Sequence, residues 1–401
     1  MFLFWFWWTI TALMLVVDVV WWVVAMHLTK RRLWRVLVSV FMAVQLTAHL
    51  LFASRLVSAS HTPKPVIVPL AIWHYFGVLV LLPLGILFAC AWTIRAVARG
   101  SGLRRNRPVA APASAKSQSR REFIGTCAAL APPLFTIGLS GLAQAQLNHF
   151  RVRRFTLSLP TLPRALDGIT IAHVTDMHVG GLTSSRVLRE MVNTTNALRA
   201  DLVLVTGDLI NYELADLSEG IALVKAMEGR YGLWMVEGNH DLLDDGTEFE
   251  HRVKTSGVPL LLNESAVADV RGYPVQFFGL GWMAGDARQC DRAHAFWVRE
   301  LMKQRQPDAF PVLLAHHPHA FDAAVKADLP LTLSGHTHGG YLMLDSRHGV
   351  GPALFRYWSG LYSRGRSQMI VSNGVGNWFP IRINASAEIV HLTLRCAGTQ
   401  G

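Results

Sequence analysis

The chain has 401 residues, of which 51% are hydrophobic and only 16% are charged, a balance typical of proteins with membrane-spanning segments. The formal net charge of +11 would indicate an acidic partner if it were spread over a soluble surface. Twelve basic residues are instead concentrated in two segments, and since they exceed the net charge of +11 by one, the remainder of the chain has a net charge of −1. The charge therefore excludes nucleic acid as an expected partner. The twelve residues are Lys30, Arg31, Arg32, Arg35, Arg95, Arg99, Arg104, Arg105, Arg107, Lys116, Arg120 and Arg121.

Three long apolar runs lie within residues 1–98. They cover residues 2–26, 33–53 and 66–94, and each reaches the ~20 residues that a helix needs to cross a bilayer. We therefore predict three transmembrane helices. Asp18, His49 and His74 interrupt the runs. They indicate either a proton or ion path or, as we prefer, side chains that pair between the helices or snorkel towards an interface.

The basic segments predict the topology of this membrane region. Lys and Arg beside a span mark its cytoplasmic side, which places residues 27–35 and 95–121 inside and the amino terminus outside. Residues 99–119 are rich in Pro, Ala, Ser and Gly and have no hydrophobic periodicity. They are interpreted as a basic, flexible cytoplasmic linker.

The next segment, residues 120–146, has two interpretations. The letters SRREFI at 119–124, followed by a modest apolar region and by AQA at 143–145, resemble a twin-arginine export signal with a cleavage site of the A-x-A form. The alternative is a fourth transmembrane helix with an ordinary basic flank. Both interpretations carry the rest of the chain across the membrane, so the region after it is expected outside.

From residue 150 onward the pattern changes to short apolar strands that alternate with helical stretches, which indicates an α/β domain. Helical spacing is found at 184–198, 216–227 and 291–304. Strands are predicted at 169–174, 202–206, 233–236, 275–280, 312–315, 331–334 and 369–372.

Polar side chains follow several of these strands directly. They are carboxylates, imidazoles and one amide, which suit zinc, iron or manganese, and ligands on α/β folds gather where strands end. In an Asp-x-His or His-x-His pair the two side chains point the same way if the strand continues. The side chains are, in chain order, Asp176, His178, Asp208, Asn239, His240, Asp241, His316, His336 and His338.

The ordered motifs D-x-H, G-D, G-N-H-D, H and G-H-x-H resemble those of the calcineurin-like metallophosphoesterases, over residues 169–395. The resemblance implies a four-layer α/β/β/α sandwich of two mixed sheets, here at residues 150–401 and preceded by the all-α transmembrane region. The branch resembled is bacterial and membrane-linked, and it usually has Gln after the double glycine. This chain has Tyr341 there, which bears on substrate preference.

The resemblance also implies a centre of two divalent metal ions, Mn, Zn or Fe. His316 rather than His317 is the implied ligand because the family form is His-x-Pro. His240 is implied as the proton donor to the leaving oxygen, oriented by Asp241. The implied ligands are Asp176, His178, Asp208 and His338 for one ion and Asp208, Asn239, His316 and His336 for the other.

Such a centre hydrolyses phosphate esters or anhydrides by attack of a hydroxide that bridges the ions. A domain held at the outer face of a bacterial inner membrane meets lipid-linked phosphates at high effective concentration. The expected function is therefore a phosphodiesterase or pyrophosphatase acting on phosphorylated lipids or other envelope phosphates. A phosphomonoesterase, or a membrane sensor or transport component with a phosphate-binding outer domain, is the alternative.

A further segment, 353–368, interleaves Arg356, Arg364 and Arg366 with aromatic residues. It is interpreted either as a cover over a phosphorylated lipid headgroup or as an ordinary surface hairpin with packed aromatics.

Overall fold

The computed structural model describes residues 2–53, 64–77, 90, 93–94, 97, 115–147, 149–345 and 348–397. The chain divides into two compact units, Met1–Gln144 and Ala145–Gly401. The helices of the first unit are α1 (Phe2–Leu28), α2 (Arg32–Ala53), α3 (Lys64–Ala71), which continues as a π-helical turn (Ile72–Gly77), and most of α4 (Ala115–Leu147).

Three stretches of the described helices are long and apolar enough to cross a membrane: Thr11–Leu28, Arg32–Leu51 and Glu122–Leu147. The first two correspond to the first two predicted spans. The predicted third span, 66–94, begins with a short apolar helical stretch, Pro65–His74, and most of its remainder lies outside the described residues, as does most of the 99–119 linker. The third long helix is instead the segment for which a signal or a fourth span was expected.

The three ionisable side chains that interrupt the apolar runs, Asp18, His49 and His74, lie together. Asp18 is fully buried, accepts a hydrogen bond from Trp73 Nε1 at 2.7 Å and lies 2.9 Å from His74 Nε2. The ring of His49 stacks on that of His74 with 4.3 Å between centroids. Asp18 and His74 thus form the preferred pairing between helices, which satisfies polar groups that would be costly in lipid.

The second unit contains two mixed sheets. In the first, of order β1-β11-β2-β3-β4, strands β2, β3 and β4 run parallel, while β11 is antiparallel to β2 and parallel to β1. The strands are β1 (Phe150–Leu159), β2 (Thr170–Val174), β3 (Leu202–Thr206), β4 (Leu233–Val236) and β11 (Ala387–Cys396).

The second sheet has the order β5-β6-β7-β8-β10-β9. Strands β6, β7, β8 and β10 run parallel, and β5 and β9 are antiparallel edge strands. The strands are β5 (Glu264–Val270), β6 (Tyr273–Gly279), β7 (Phe310–Leu314), β8 (Leu331–Ser334), β9 (Gly360–Arg364) and β10 (Ser367–Val371).

The two-residue period of the strands builds two cores at once. Along β3, Leu204 faces a core that lies between the sheets, whereas Val203 and Val205 face a core under the helices. A third core joins the second sheet to its own helices. The helices α5 (Ser185–Ala197), α6 (Leu217–Lys225) and α7 (Gly246–Thr255) cover the first sheet. The helices α8 (Ala287–Met302) and α9 (Ala320–Lys326) cover the second sheet. A short helix, α10 (Gly351–Leu354), follows them in the chain. The expected four-layer α/β/β/α sandwich is confirmed.

All seven predicted strands are present, with ends displaced by at most two residues. The prediction missed β1, β5 and β9, which lie at sheet edges, and it did not mark β11 as a strand. Edge strands bury one face or less, so their apolar signal is weak. In β1, for example, three arginines interrupt the pattern.

Candidate metal centre

The candidate ligands follow the carboxyl ends of five parallel strands. β2 leads to Asp176, β3 to Asp208 and β4 to Asn239 in the first sheet, while β7 leads to His316 and β8 to His336 and His338 in the second. Because the two sheets are packed face to face, these ends meet at one edge of the sandwich.

The backbone at the candidate ligands is unusual. Five of the seven have positive φ angles, a region that L-residues adopt at a steric cost and that clusters at functional sites. These residues are Asp176 (53°), His178 (44°), Asp208 (53°), His336 (74°) and His338 (48°). Left-handed backbone follows three of the five strands, β2, β3 and β8, and it turns their ligand side chains towards the site. The strand alternation considered for the D-x-H and H-x-H pairs therefore does not aim them.

Two glycines make room for these turns. A Cβ at Gly238 would lie 2.2 Å from Asp208 Oδ1, and one at Gly335 would lie 2.3 Å from Asp176 Oδ2. Neither distance is possible, so these positions admit only glycine while the carboxylates stay in place. Gly238 and Gly335 therefore provide space for the carboxylates of Asp208 and Asp176.

The structure brings the predicted ligands into two main groups whose ligand atoms lie within 4.8 Å of one another. The first group is Asp176, His178 and His338, and the second is Asp208, His316 and His336. Asn239 joins the second group, since its Oδ1 lies 2.9 Å from His336 Nδ1. A third grouping of His178, Asp208 and His240 links the two and places His240 at the centre.

The donor atoms fit divalent cations. His316 Nδ1 lies 2.7 Å from the carbonyl oxygen of Thr206 and donates to it, so the Nε2 lone pair faces Asp208 Oδ2 at 3.1 Å, without a well-formed hydrogen bond. Two electron-rich atoms at that distance repel each other unless a proton on Nε2 or a cation bound by both atoms supplies positive charge. Burial lowers the pKa of His316, but the carboxylates of Asp208 and Asp176 outweigh burial and raise the pKa to about 9. A metal ion would take the place of that proton.

The pKa values of the Asp176 and Asp208 carboxyl groups are shifted in opposite directions. Burial raises the pKa of Asp176, His316 opposes that change and Asp208 adds to it, with the result near 6. Burial also raises the pKa of Asp208, but His316 and His178 outweigh it and hold the pKa well below the usual value. Asp208 is therefore the carboxylate that stays ionised between the groups, as a bridging ligand must.

His240 is held by the backbone. Its Nδ1 lies 2.6 Å from the carbonyl oxygen of Asn211, to which it donates, and its main-chain N–H donates to Asp208 Oδ1 at 2.8 Å. The expectation that Asp241 orients His240 is wrong. The Asp241 carboxylate accepts from the main-chain N–H groups of Ile210 and Gly238, at 3.0 and 2.8 Å, and so joins the loops after β3 and β4.

Arg382 is a site residue that the sequence reasoning missed. It is fully buried and donates to the carbonyl oxygens of Asn373, Gly376 and Ala385, and its Nη2 lies 3.0 Å from Nδ1 of His338. It thus fixes the 373–385 loop against a candidate ligand. The available signal was an arginine between two isoleucines in the stretch PIRI, a charge where burial is expected.

Aromatic rings border both ligand groups. Trp282 lies beside the second group, with ring centroids 5.1 Å from His336 and 5.7 Å from His316. On the side of the first group, Trp378 lies 5.3 Å from His240, and Tyr341 stacks on His338 at 5.2 Å.

Two of the three arginines in the 353–368 segment, Arg356 and Arg364, are engaged in ion pairs and do not provide free guanidinium groups for phosphate. Arg356 and Arg364 both pair with the Asp322 carboxylate, and Arg356 also pairs with Asp291 at 3.1 Å. Tyr357 and Trp358 are buried beneath the hairpin of β9 and β10. The structure thus favours the surface-hairpin interpretation.

Comparison with known proteins agrees with this fold and site. The family model for calcineurin-like phosphoesterases matches residues 169–340. The chain is 30% identical over 295 residues to an uncharacterized metallophosphoesterase, YkuE, of Bacillus subtilis, covering 70% of this chain and 99% of that protein. A sandwich with carboxylates and imidazoles gathered at its strand ends is the arrangement expected of a metal-binding protein. The chain belongs to the calcineurin-like metallophosphoesterase family, which indicates a metal-dependent phosphoester hydrolase.

Two other relatives are longer than the matched region. A "transmembrane protein with metallophosphoesterase domain" from Danio rerio is 28% identical over 59% of this chain and 55% of its own length. An uncharacterized metallophosphoesterase, Cj0846, of Campylobacter jejuni is 28% identical over 61% of this chain and 63% of its own length. The chain therefore spans little more than half of some curated relatives.

Proposed function

We propose that the protein is a two-metal phosphodiesterase or pyrophosphatase that acts on envelope or lipid-linked phosphates. The observation that carries the proposal is the placement of one tryptophan beside each ligand group, Trp378 beside His240 and Trp282 beside His336. A phosphodiester has an organic substituent on each side of its phosphorus. Each tryptophan offers apolar contact area to one substituent.

The charges around the site support a diester over a monoester. A monoester binds as a dianion and benefits from an additional cationic side chain, whereas a diester carries one negative charge. The nearby guanidinium groups of Arg356 and Arg364 are already neutralised by Asp322 and Asp291. Arg382 is enclosed by main-chain carbonyls.

Two divalent ions in these ligand groups would neutralise phosphate charge and lower the pKa of a water molecule. The chain itself supplies the proton for the leaving group. His240 Nδ1–H is held by the Asn211 carbonyl, which leaves Nε2 to donate. The donor is the doubly protonated ring of His240, and the attacking water has already released one proton to solvent. As its oxygen bonds to phosphorus, the opposite P–O bond breaks and the Nε2 proton passes to the departing oxygen, which leaves His240 neutral.

For location, we propose a bacterial inner membrane with the catalytic unit on the extracytoplasmic side. Three described helices are long and apolar enough to cross a membrane, and a relative from Danio rerio is named a transmembrane protein. The basic segments at 27–35 and 95–121 support this orientation. A tethered enzyme would meet lipid-linked phosphates at a high effective concentration.

The test is hydrolysis by the full-length protein in detergent, loaded separately with Mn²⁺ and Zn²⁺. We expect kcat/KM for bis(p-nitrophenyl) phosphate to exceed that for p-nitrophenyl phosphate at least about tenfold, a difference of ~1.4 kcal/mol in transition-state binding. A panel of phospholipids and lipid-linked diphosphates then identifies the substrate. Faster monoester hydrolysis would establish a phosphomonoesterase, and tight diester binding without turnover would establish a sensor.

A further inference from the structure

Three aromatic side chains lie together beside His240. Trp378 is 40% exposed although its ring lies 5.3 Å from that of His240. Phe379 and Tyr341 adjoin it, with ring centroids 5.6 and 5.7 Å from Trp378. An exposed tryptophan ring beside the proposed proton donor indicates a binding surface, because water is a poor neighbour for it.

The position of Trp378 is fixed by its neighbours in the chain. Asn377 is buried, receives a hydrogen bond from Arg382 Nε at 2.6 Å, and donates from its main chain to Thr183 Oγ1 at 2.8 Å and from its side chain to the Leu147 carbonyl at 2.9 Å. On the other side, Ile381 and Arg382 are fully buried. The exposed tryptophan thus stands on a loop held at both ends, which preorganises it for a ligand.

Tyr341 completes the surface. Its ring lies nearly parallel to that of His338, at 18° and 5.2 Å, and it makes T-shaped contacts with Trp378 and Phe379 at 5.7 and 5.4 Å. Its φ of 63° is left-handed, a strained conformation for a tyrosine. The ring therefore extends the apolar surface from Trp378 to the first ligand group.

We propose that Trp378, Phe379 and Tyr341 form a leaving-group subsite that takes a six-membered ring carried on the scissile ester oxygen. The inference rests on the proposed function, because it uses His240 as the donor to that oxygen. A substituent on an oxygen that faces His240 lies against Trp378, the neighbour of His240. Flat aromatic faces bind sugar or aryl rings over more area than they offer to a small alkyl group.

The first experiment measures binding and does not depend on hydrolysis. The Mn²⁺-loaded full-length protein is titrated calorimetrically with phenylphosphonate, cyclohexylphosphonate and methylphosphonate, which have uncleavable P–C bonds. We expect the better ring compound to bind about tenfold more tightly than methylphosphonate. A preference for cyclohexyl indicates a saturated, sugar-like ring, and a preference for phenyl indicates an aryl ring.

Variants assign the preference to a residue. Trp378→Ala should abolish it and Trp378→Phe should retain most of it, while Phe296→Ala should leave it intact. Phe296 is a matched control because it is 46% exposed and its ring contacts are Trp297 and Arg299. The subsite would be refuted if the unmodified protein bound ring phosphonates no more tightly than methylphosphonate. It would also be refuted if Trp282→Ala, and not Trp378→Ala, lost the ring preference.

The second experiment separates this inference from the proposed function. With methyl p-nitrophenyl phosphate, the nitrophenyl ring is the leaving group, so Trp378→Ala should lower kcat/KM about tenfold with metal content unchanged. A Trp378-dependent ring preference in a protein that cleaves no diester would refute the diesterase and support the subsite. Diester cleavage with an unchanged kcat/KM in Trp378→Ala would refute the subsite alone.

Discussion

Asp208 is the residue on which both ligand groups depend. Its Oδ2 lies 3.1 Å from His316 Nε2 and 3.5 Å from His178 Nε2, so one carboxylate faces an imidazole of each group. Its Oδ1 also receives the main-chain N–H of His240. The proposed metal ligation, the proposed bridging and the placement of the proposed proton donor therefore all involve the side chain of Asp208.

We expect Asp208→Asn to lose metal and activity together, because an amide cannot supply two anionic oxygens to two cations. The fall in metal affinity should exceed the ~10–100-fold that loss of an outer-shell partner causes. Elemental analysis of the purified protein measures how many metal ions each chain retains. Asp201→Asn is the matched control, since Asp201 is also buried but binds Thr170 and Arg271. Two metals per chain in Asp208→Asn would contradict the bridging assignment.

His240→Ala is expected to separate chemistry from metal binding. Removing a proton donor should lower kcat by ~10²–10⁴, while Asp176, His178, His338 and the second ligand group still hold their ions. Stopped-flow hydrolysis and elemental analysis on one preparation give both quantities. His251→Ala, at an exposed position on α7, controls for loss of a histidine. Loss of metal together with activity would show that His240 is a ligand, as its grouping with His178 and Asp208 allows.

At the scale of elements, the centre depends on contacts between loops that are distant in the chain. Arg382 connects the loop after β10 to His338, which follows β8, and Asp241 connects the loops after β3 and β4. These two side chains hold main-chain groups that would otherwise be buried without partners, an arrangement that is costly to break.

Arg382→Met should keep much of the side-chain volume while leaving several buried carbonyl oxygens without a donor. We expect the catalytic unit to lose about 3–5 kcal/mol of stability, the typical effect of removing one member of a buried charged network. Metal should be lost first from the group that contains His338, giving less than the parent stoichiometry. Thermal denaturation with elemental analysis measures both effects, and Arg382→Lys should restore part of the stability. A parent-like melting temperature would refute this role.

The Asp18–His74 pair predicts a local effect in the membrane unit. Asp18→Leu removes the acceptor for Trp73 and the partner of His74, and hydrogen bonds between membrane helices are worth about 1–2 kcal/mol at most. We expect a lower midpoint for thermal loss of helical circular dichroism in detergent. Asp18→Asn, which still offers Trp73 an acceptor, should lose less. Equal midpoints for the parent and Asp18→Leu would mean that the pair does not hold the helices together.

At the scale of the whole molecule, apolar helices precede the metallophosphoesterase unit in one chain. In the proposed topology, the segment between them decides on which side of the membrane that unit lies. That segment begins helix α4, whose Glu122–Leu147 stretch is long and apolar enough to span a bilayer. Helicity is compatible with both the twin-arginine signal and the fourth span. The two interpretations differ in whether an export receptor recognises Arg120 and Arg121.

The double variant Arg120→Lys with Arg121→Lys keeps the charge and removes the arginine pair. We expect it to prevent external exposure of the catalytic unit, because a twin-arginine signal is read by a receptor and not by charge alone. Protease accessibility on spheroplasts measures exposure. Arg104→Lys with Arg105→Lys is the matched control within the linker. Unchanged exposure in the first variant would identify an ordinary fourth span.

The sequence by itself was sufficient for properties that depend on local pattern. Apolar length predicted the first two spans, short apolar runs predicted seven of the strands, and the residues after those strands predicted the chemistry of the site. The strands could be predicted because a strand that is buried on both faces has a strong, contiguous apolar signal. The order of Asp, His and Asn along the chain was enough to indicate a metal centre.

Only the tertiary structure decided how those side chains converge. The left-handed turns at Asp176 and Asp208 depend on the space left by Gly335 and Gly238, which belong to other loops. Arg382 reaches His338 across 44 positions, and Asp241 binds the loop after β3 in place of His240. Such contacts have no local signature, because long-range packing sets the backbone angles that aim each side chain.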